Sequence, residues 1–191
     1  MKLKALALVL ILAGFGVANA GMDPSNTFSV GLEAGANFAT LVGSDVTNVG
    51  GTLNSKLGFV GGGFLSLNFG NSFAIRPEVL YEQKGTAING QTTTPELDYI
   101  EVPVLLKLSL GTPMVNPGIL IGPSFGWNVL AQNLGSGTSV SSSDIGLVGG
   151  VEVDIDKFLV NGRYELGLDN VTQNSKVQNG TFTFLVGYSF M

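Results

Sequence analysis

The sequence predicts an all-β protein that forms an eight-stranded antiparallel up-and-down transmembrane β-barrel. Three observations predict this fold. Apolar residues alternate with small or polar residues along eight long segments, which is the period of a strand with one apolar face. Charged residues on these segments fall on the other face, and long polar connections alternate with short turns. Strands of this length suit the ~9–11 tilted residues that cross a bilayer.

The composition limits the function. The chain has 191 residues, of which 12% are charged, about half the usual share for a soluble protein. Mean hydropathy is +0.37, yet no apolar run after residue 20 is long enough for a helical membrane span. The absence of His and Cys excludes disulfides, thiol chemistry, Ser–His and Cys–His nucleophile systems and the commonest metal ligand. A net charge of −5 argues against nucleic-acid binding.

Residues 1–20 have the three parts of a secretory signal peptide. Lys2 and Lys4 form a positive head, residues 5–17 are apolar, and Ala18-Asn19-Ala20 supplies small residues for cleavage after Ala20. The alternative is an N-terminal anchor, for which thirteen apolar residues are too short. We therefore expect a signal peptide over residues 1–20 and an outer-membrane β-barrel domain over residues 21–191.

The predicted strands follow one another as residues 28–38, 57–69, 73–84, 98–110, 117–129, 144–153, 158–168 and 181–190. Glycines blur the second and sixth strands, and the other six alternate clearly. The apolar faces, in order, carry Phe28, Val30, Leu32, Ala34, Ala36 and Phe38; Leu65, Leu67 and Phe69; Phe73, Ile75, Pro77, Val79 and Tyr81; Ile100, Val102, Val104, Leu106 and Leu108; Ile119, Ile121, Pro123, Phe125, Trp127 and Val129; Leu147, Val151 and Val153; Phe158, Val160, Gly162, Tyr164, Leu166 and Leu168; Phe182, Phe184, Val186, Tyr188 and Phe190.

The connections fall into two classes. Residues 41–56, 85–97, 131–143 and 169–180 are long and polar, whereas residues 70–72, 111–116 and 154–157 are short and turn-like. Four long loops alternating with three short turns indicate an up-and-down meander. For Asp45, Asp144 and Asp169, in or beside the long loops, the alternatives are cation binding and solvated surface carboxylates, and we expect the second.

Charges of both signs lie on the non-apolar faces. A soluble lipocalin-type barrel would turn its apolar face inward and its charges outward, leaving this chain little solubilising charge. In a bilayer the apolar face meets lipid, aromatic residues near the strand ends form interfacial girdles, and the charges pair inside a narrow lumen. The alternatives to a structural ion-pair network are a conduction path or an acid/base site; eight strands leave room only for side chains. The predicted lumen network comprises Glu33, Arg76, Glu78, Glu82, Lys84, Glu101, Lys107, Glu152, Arg163 and Glu165.

Prolines and glycines within the strands need explanation. Because proline cannot donate to a β-ladder, we expect bulges or local bends at Pro77, Pro103 and Pro123, while Pro117 opens its strand. The glycine clusters 61–63 and 149–150 are expected to let strands coil tightly or to make room for large side chains across the lumen.

Three motifs resemble the bacterial porin family of outer-membrane β-barrel domains, of the PorT-like kind and related to OmpA/OmpX-type small barrels. They are RPEVLYEQKG at residues 76–85, DYIEVPVLLK at 98–107 and IGPSFG at 121–126. The resemblance implies the barrel fold and an outer-membrane location, and the family has diverse roles. The C-terminus also resembles the signal read by the barrel-assembly machinery, which would be carried by Phe182, Phe184, Val186, Tyr188 and Phe190, with Met191 appended.

The expected function is a structural or surface-binding role through extracellular loops. The alternative is a narrow porin-like channel for ions or small solutes, and a soluble periplasmic lipid-carrying barrel is a third possibility. We expect no enzymatic activity, no cofactor and no metal. The expected partners are outer-membrane lipid, lipopolysaccharide and the barrel-assembly machinery, with no nucleic acid. The chain is expected to be a monomer with periplasmic termini.

Overall fold

The computed structural model describes residues 28–42, 53–70, 72–84, 86–88, 96–112, 114–132, 143–168 and 178–190. All regular elements in these ranges are strands. They are β1 Phe28–Val42, β2 Leu53–Phe69, β3 Phe73–Lys84, β4 Thr86–Ile88, β5 Glu96–Ser109, β6 Val115–Gln132, β7 Ser143–Ile155, β8 Phe158–Gly167 and β9 Gln178–Ser189. No helix in this part of the chain is long and apolar enough to cross a membrane. The predicted signal peptide lies outside the described residues.

The eight long strands close into an antiparallel barrel, as the alternation predicts. Each pairs with the next along the chain, and β1 pairs with both β2 and β9, which removes the sheet edges. The short β4 is an exception to the prediction, because it lies within the predicted connection 85–97. It pairs with Leu53–Ser55 at the start of β2 and so extends the β2–β3 hairpin past the end of β3.

The strands are staggered around the barrel. A path through paired residues starts at Phe28 and returns to the same strand at Phe38 after one circuit, a stagger of ten residues. The path runs through Phe28, Leu67, Ile75, Leu106, Ile121, Gly149, Tyr164, Phe182 and Phe38. Such a stagger tilts the strands strongly and leaves an interior that side chains fill.

The two faces of the wall are those predicted. Outward side chains are mostly apolar and exposed or half-buried, including Leu32 at 58% and Val151 at 63%, with Val102 at 6% as an exception; the alternate positions are mostly buried inside the barrel. The short turns join β2 to β3, β5 to β6 and β7 to β8, and we call this the turn end; the opposite end, where the long connections begin, is the loop end. Aromatic rings contact one another around the turn end. The ring centres of Phe69 and Phe73 are 5.4 Å apart, and those of Phe158 and Tyr188 are 5.1 Å apart.

The prolines do not sit at β-bulges. The register passes Pro77, Pro103 and Pro123 without a shift, although residues beside the first two drop out of the ladder. The described register shift lies between Asp98 and Tyr99. The wall therefore accommodates Pro77 and Pro103 by losing neighbouring pairs, and Pro123 without losing a pair to β7, rather than by inserting a residue.

One glycine shows why strands facing a narrow lumen need small residues. A Cβ on Gly31 would lie 2.6 Å from Cε1 of Phe64, and closer still to its Cζ and to the Tyr188 carbonyl oxygen. The ring of Phe64 occupies this space, and the guanidinium of Arg76 lies 5.1 Å from its centre. Gly31 is thus required by the packing of a large side chain of the neighbouring strand. Of the clusters predicted to make room, Gly150 is similarly crowded, with a Cβ 2.7 Å from Cβ of Arg163, whereas a Cβ on Gly149 would meet nothing within 4 Å.

Candidate functional site

The lumen is the candidate site because the barrel's buried charges face it. The structure places the ten charged residues that the sequence singles out on inward positions, and each is at most 8% exposed. It brings all of them into ion pairs, which form two groups along the barrel axis. The members are Glu33, Arg76, Glu78, Glu82, Lys84, Glu101, Lys107, Glu152, Arg163 and Glu165.

The first group, the turn-end network, is centred on Glu152 of β7. Arg76 Nη1 on β3 donates to Glu152 Oε1 at 2.8 Å, and its Nη2 donates to the other oxygen. Lys107 on β5 donates to Glu152 Oε1 at 2.7 Å and also to Asp154. A bidentate arginine–carboxylate pair has fixed geometry, so it links two strands that are distant in the wall across the lumen.

Arg163 of β8 extends this network to the other side of the barrel. Its Nη1 donates to Glu78 Oε2 at 2.6 Å, and its Nη2 lies 3.4 Å from Glu33 Oε1. Glu78 also accepts from Arg76 Nε at 3.1 Å. Asn161 links the two halves, because its amide nitrogen lies 3.4 Å from Glu33 and 3.3 Å from Glu152.

The second group, the loop-end cluster, consists of Lys84, Glu82, Glu101 and Glu165. Lys84 Nζ lies 2.8 Å from Glu101 Oε1, 3.3 Å from Glu165 Oε2 and 3.4 Å from Glu82 Oε2. Ser124 donates to Glu165 Oε1 at 3.0 Å. One ammonium therefore serves three carboxylates, whereas in the turn-end network three cations face four carboxylates.

Apolar side chains fill the lumen among the charges. Leu80 lies between Glu78 and Glu82 on the inward face of β3 and packs with Val60 and Leu185. A second cluster is formed by Leu105, Leu120 and Val148. The interior is therefore occupied by both ion pairs and aliphatic packing.

Two polar residues of the lumen differ from the sequence prediction. Asp154 is predicted to lie in a turn but continues the inward face of β7 two residues beyond Glu152, and that two-residue spacing is the signal that points to it. Asp144 is only 9% exposed, so the expectation of a solvated carboxylate is wrong there, because β7 already begins at Ser143. Asp98 pairs with Gln83 and so lies on the outer face, where it accepts a 2.5 Å hydrogen bond from Tyr81 of the same face. Asp45 and Asp169 lie outside the described residues.

The predicted assembly signal lies on the outer surface. Phe182, Phe184, Val186, Tyr188 and Phe190 are exposed along β9 and just after it. Tyr188 and Phe190 contact each other with ring centres 5.6 Å apart. The role of these residues in assembly stays a prediction.

The chemistry of the lumen is that of charge pairing. In the described part of the chain, its carboxylates are held by cations or by hydroxyl and amide donors, and the sequence has no His or Cys to serve as base or thiol nucleophile. Three carboxylates close to one another, those of Glu82, Glu101 and Glu165, are the arrangement here that suits a metal ion.

Comparison with known proteins agrees with this architecture. The model of the outer membrane protein β-barrel domain family matches residues 18–173. No curated protein matches the sequence. Among solved structures, Neisserial surface protein A is 18% identical, with a TM-score of 0.50 over 84% of this chain and 97% of that one.

Two further structures have the same fold. The outer membrane protein OprG of Pseudomonas aeruginosa is 13% identical, with a TM-score of 0.51 over 85% of this chain and 95% of that one. The outer membrane enzyme PagL is 10% identical, with a TM-score of 0.54 over 80% of this chain and 98% of that one. At these identities the likeness establishes the fold alone.

Proposed function

The chain belongs to the outer membrane protein β-barrel domain family, and from this premise we propose that it is a non-conducting anchor that presents its loops for surface binding. The protein is a small β-barrel of the bacterial outer membrane. The observation that carries the finer proposal is the filled lumen. The Arg76–Glu152 and Arg163–Glu78 pairs cross the interior. The connections at the loop end are therefore the parts of the protein that remain free to bind a partner.

The energetics of the lumen favour a permanent filling. Breaking a buried ion pair exposes an uncompensated charge to a medium that solvates it poorly, at a cost of about 3–5 kcal/mol. Glu152 accepts from both Arg76 and Lys107, so opening a path beside it would break two such pairs together. A conducting state of this lumen would therefore be rare.

We propose that the barrel stands with the turn end and both termini in the periplasm, as a monomer surrounded by lipid. The connections at the loop end are then extracellular, and their Ser-, Thr-, Asn- and Gly-rich sequences suit adaptable polar contacts, including those to lipopolysaccharide sugars and phosphates. A non-enzymatic role is supported by the lack of His and Cys. The fold does not decide that point, because PagL is described as an enzyme.

Planar-bilayer recording tests the anchor against the channel. The purified protein should give no reproducible single-channel steps. The Lys107→Ala and Glu101→Ala variants test the origin of any current. Steps from the wild-type protein that either substitution abolishes would show that the lumen conducts, and the proposal would be wrong.

Loop binding needs a separate experiment. Purified lipopolysaccharide is titrated against the protein in detergent micelles, with Trp127 near the loop end of β6 as the fluorescent reporter. A variant whose residues 133–142 are replaced by a short Gly-Ser linker is the comparison. We expect saturable binding that the replacement weakens; equal binding by both proteins would contradict a role for this loop.

A further inference from the structure

The loop-end cluster carries more negative charge than its lysine neutralises. Glu82, Glu101 and Glu165 are 2%, 1% and 8% exposed, and Lys84 is the cation among them. With all four groups ionised, the cluster has a net charge of −2. Charges taken out of water in this way require compensation, since each isolated buried ion costs several kcal/mol.

Two oxygens of the cluster also accept no hydrogen bond within the described ranges, although one of them, Glu82 Oε2, lies 3.4 Å from Lys84 Nζ. Glu82 Oε2 and Glu101 Oε2 are fully buried and accept no hydrogen bond from any residue that the structure describes. The side-chain amide of Asn37 is also buried, and neither its oxygen nor its nitrogen has a hydrogen-bond partner among the residues that the structure describes. Asn37 faces inward on β1 and pairs with Gly58 on β2. Two residues beyond Gly58, Val60 pairs with Glu82 on β3, so Asn37 lies two strands from Glu82 in the wall.

The arrangement of the three carboxylates suits one small cation. An oxygen from each of Glu82, Glu101 and Glu165 lies within 4.8 Å of the others. Two glycines leave room for these groups: a Cβ on Gly146 would lie 2.7 Å from Glu165 Oε1, and one on Gly126 would lie 3.3 Å from Glu101 Oε1. The wall is therefore shaped around the carboxylates.

We propose that the loop-end cluster binds one divalent metal cation of the hard, oxygen-seeking class, such as Ca²⁺. Three carboxylates are balanced by Lys84 together with one divalent ion, and the cluster becomes neutral. Oxygen ligands without nitrogen or sulfur favour Ca²⁺ or Mg²⁺ over transition metals. Asn37 faces the same lumen with a buried amide that has no hydrogen-bond partner in the described part of the chain, and its oxygen is of a kind that also ligates Ca²⁺.

The position of the cluster gives the ion access from the extracellular side. Glu82 lies two residues before the end of β3, and Glu165 lies two residues before the end of β8, both at the loop end. The turn-end network lies below it and closes the opposite side. The ion would thus be a structural part of the loop-end lumen rather than one in transit.

The test uses the full barrel refolded into detergent micelles in metal-free buffer. Bound metal is measured after equilibrium dialysis, and thermal unfolding is followed by circular dichroism with added Ca²⁺, with Mg²⁺ and with NaCl of matched ionic strength. We expect one Ca²⁺ per barrel and an unfolding temperature that Ca²⁺ raises and chelator lowers, since a ligand that binds only the folded state stabilises it.

The matched variants are Glu82→Gln in the cluster and Glu33→Gln, an equally buried carboxylate of the turn-end network. Glu82→Gln should weaken Ca²⁺ affinity by about tenfold or more, and Glu33→Gln should leave it unchanged. Equal weakening by both variants would overturn the proposal. So would a wild-type protein that keeps no Ca²⁺ and whose unfolding temperature does not respond to it, because the cluster would then be balanced by protons. The wild-type measurement decides the matter even if Glu82→Gln fails to fold.

Discussion

Arg76 on β3 and Glu152 on β7 meet across the lumen in a two-pronged ion pair, although 76 residues separate them in the chain. The pair joins strands that are not neighbours in the wall. Because Glu152 also accepts from Lys107 and Arg76 also donates to Glu78, the pair is the node of the turn-end network.

Removing one partner of this pair should destabilise the barrel strongly. Arg76→Met leaves Glu152 and Glu78 short of a cation inside the lumen, and we expect a loss of about 3–5 kcal/mol in the free energy of unfolding. Urea unfolding in micelles measures it. Lys157→Met, at an exposed turn position, is the control and should change the value by less than about 0.5 kcal/mol. Equal effects of the two substitutions would mean that the network contributes little.

The requirement for glycine opposite Phe64 gives a second prediction. Gly31→Ala should cost about 1–3 kcal/mol, because the added methyl collides with the Phe64 ring and with the backbone of β9. Gly149→Ala is the matched control. A Cβ there meets nothing within 4 Å, so this substitution should leave the free energy of unfolding unchanged or raise it slightly. The same urea titration compares them. A tolerated Gly31→Ala would contradict the packing argument.

The lipid-facing surface can be tested with a charge. Leu147 is exposed near the middle of β7, so Leu147→Arg places a guanidinium in the hydrocarbon region at a cost of about 2–4 kcal/mol. Folding stability in phosphatidylcholine vesicles is the measurement. Met114→Arg, in the turn between β5 and β6, should be tolerated. If Leu147→Arg were equally harmless, this face of β7 would not contact lipid.

The C-terminal signal predicts a difference between assembly in cells and folding in vitro. Phe190→Ala should reduce the amount of barrel in the outer membrane several-fold while changing stability in micelles by no more than about 1 kcal/mol. Its backbone bond to Val30 does not depend on the side chain. Phe158→Ala removes a similarly exposed ring at the turn end and is the control. Parallel losses of both proteins from the membrane would argue for a general stability effect instead.

Much of the fold follows from local patterns. The segment 73–84 is predicted with the same bounds that the structure gives, because its charged and apolar residues alternate to both ends. β6 extends beyond its predicted residues 117–129 to Val115–Gln132, and β2 begins at Leu53 rather than residue 57. Ladder hydrogen bonds join backbone atoms, so a strand continues where the side-chain pattern has already faded.

The candidate site was predictable as a set of residues but not as a set of contacts. The ten inward charges follow from period-two alternation, and the inward position of Asp154 follows from the same rule once β7 is extended to Ile155. The register shift between Asp98 and Tyr99 does not, because it belongs to the pairing of β5 with β6. A shift of this kind arises from pairing with another strand and leaves no signal in its own alternation.

The sequence by itself determined which side chains face lipid and which face the lumen, since that choice depends only on a residue's place in a two-residue period. Only the tertiary structure decided which charges pair. Arg76 meets Glu152 and Lys84 meets Glu101 because closure of the barrel with a ten-residue stagger sets the relative height of every strand. That stagger is a property of the whole ring of strands, so no single segment of the chain encodes it.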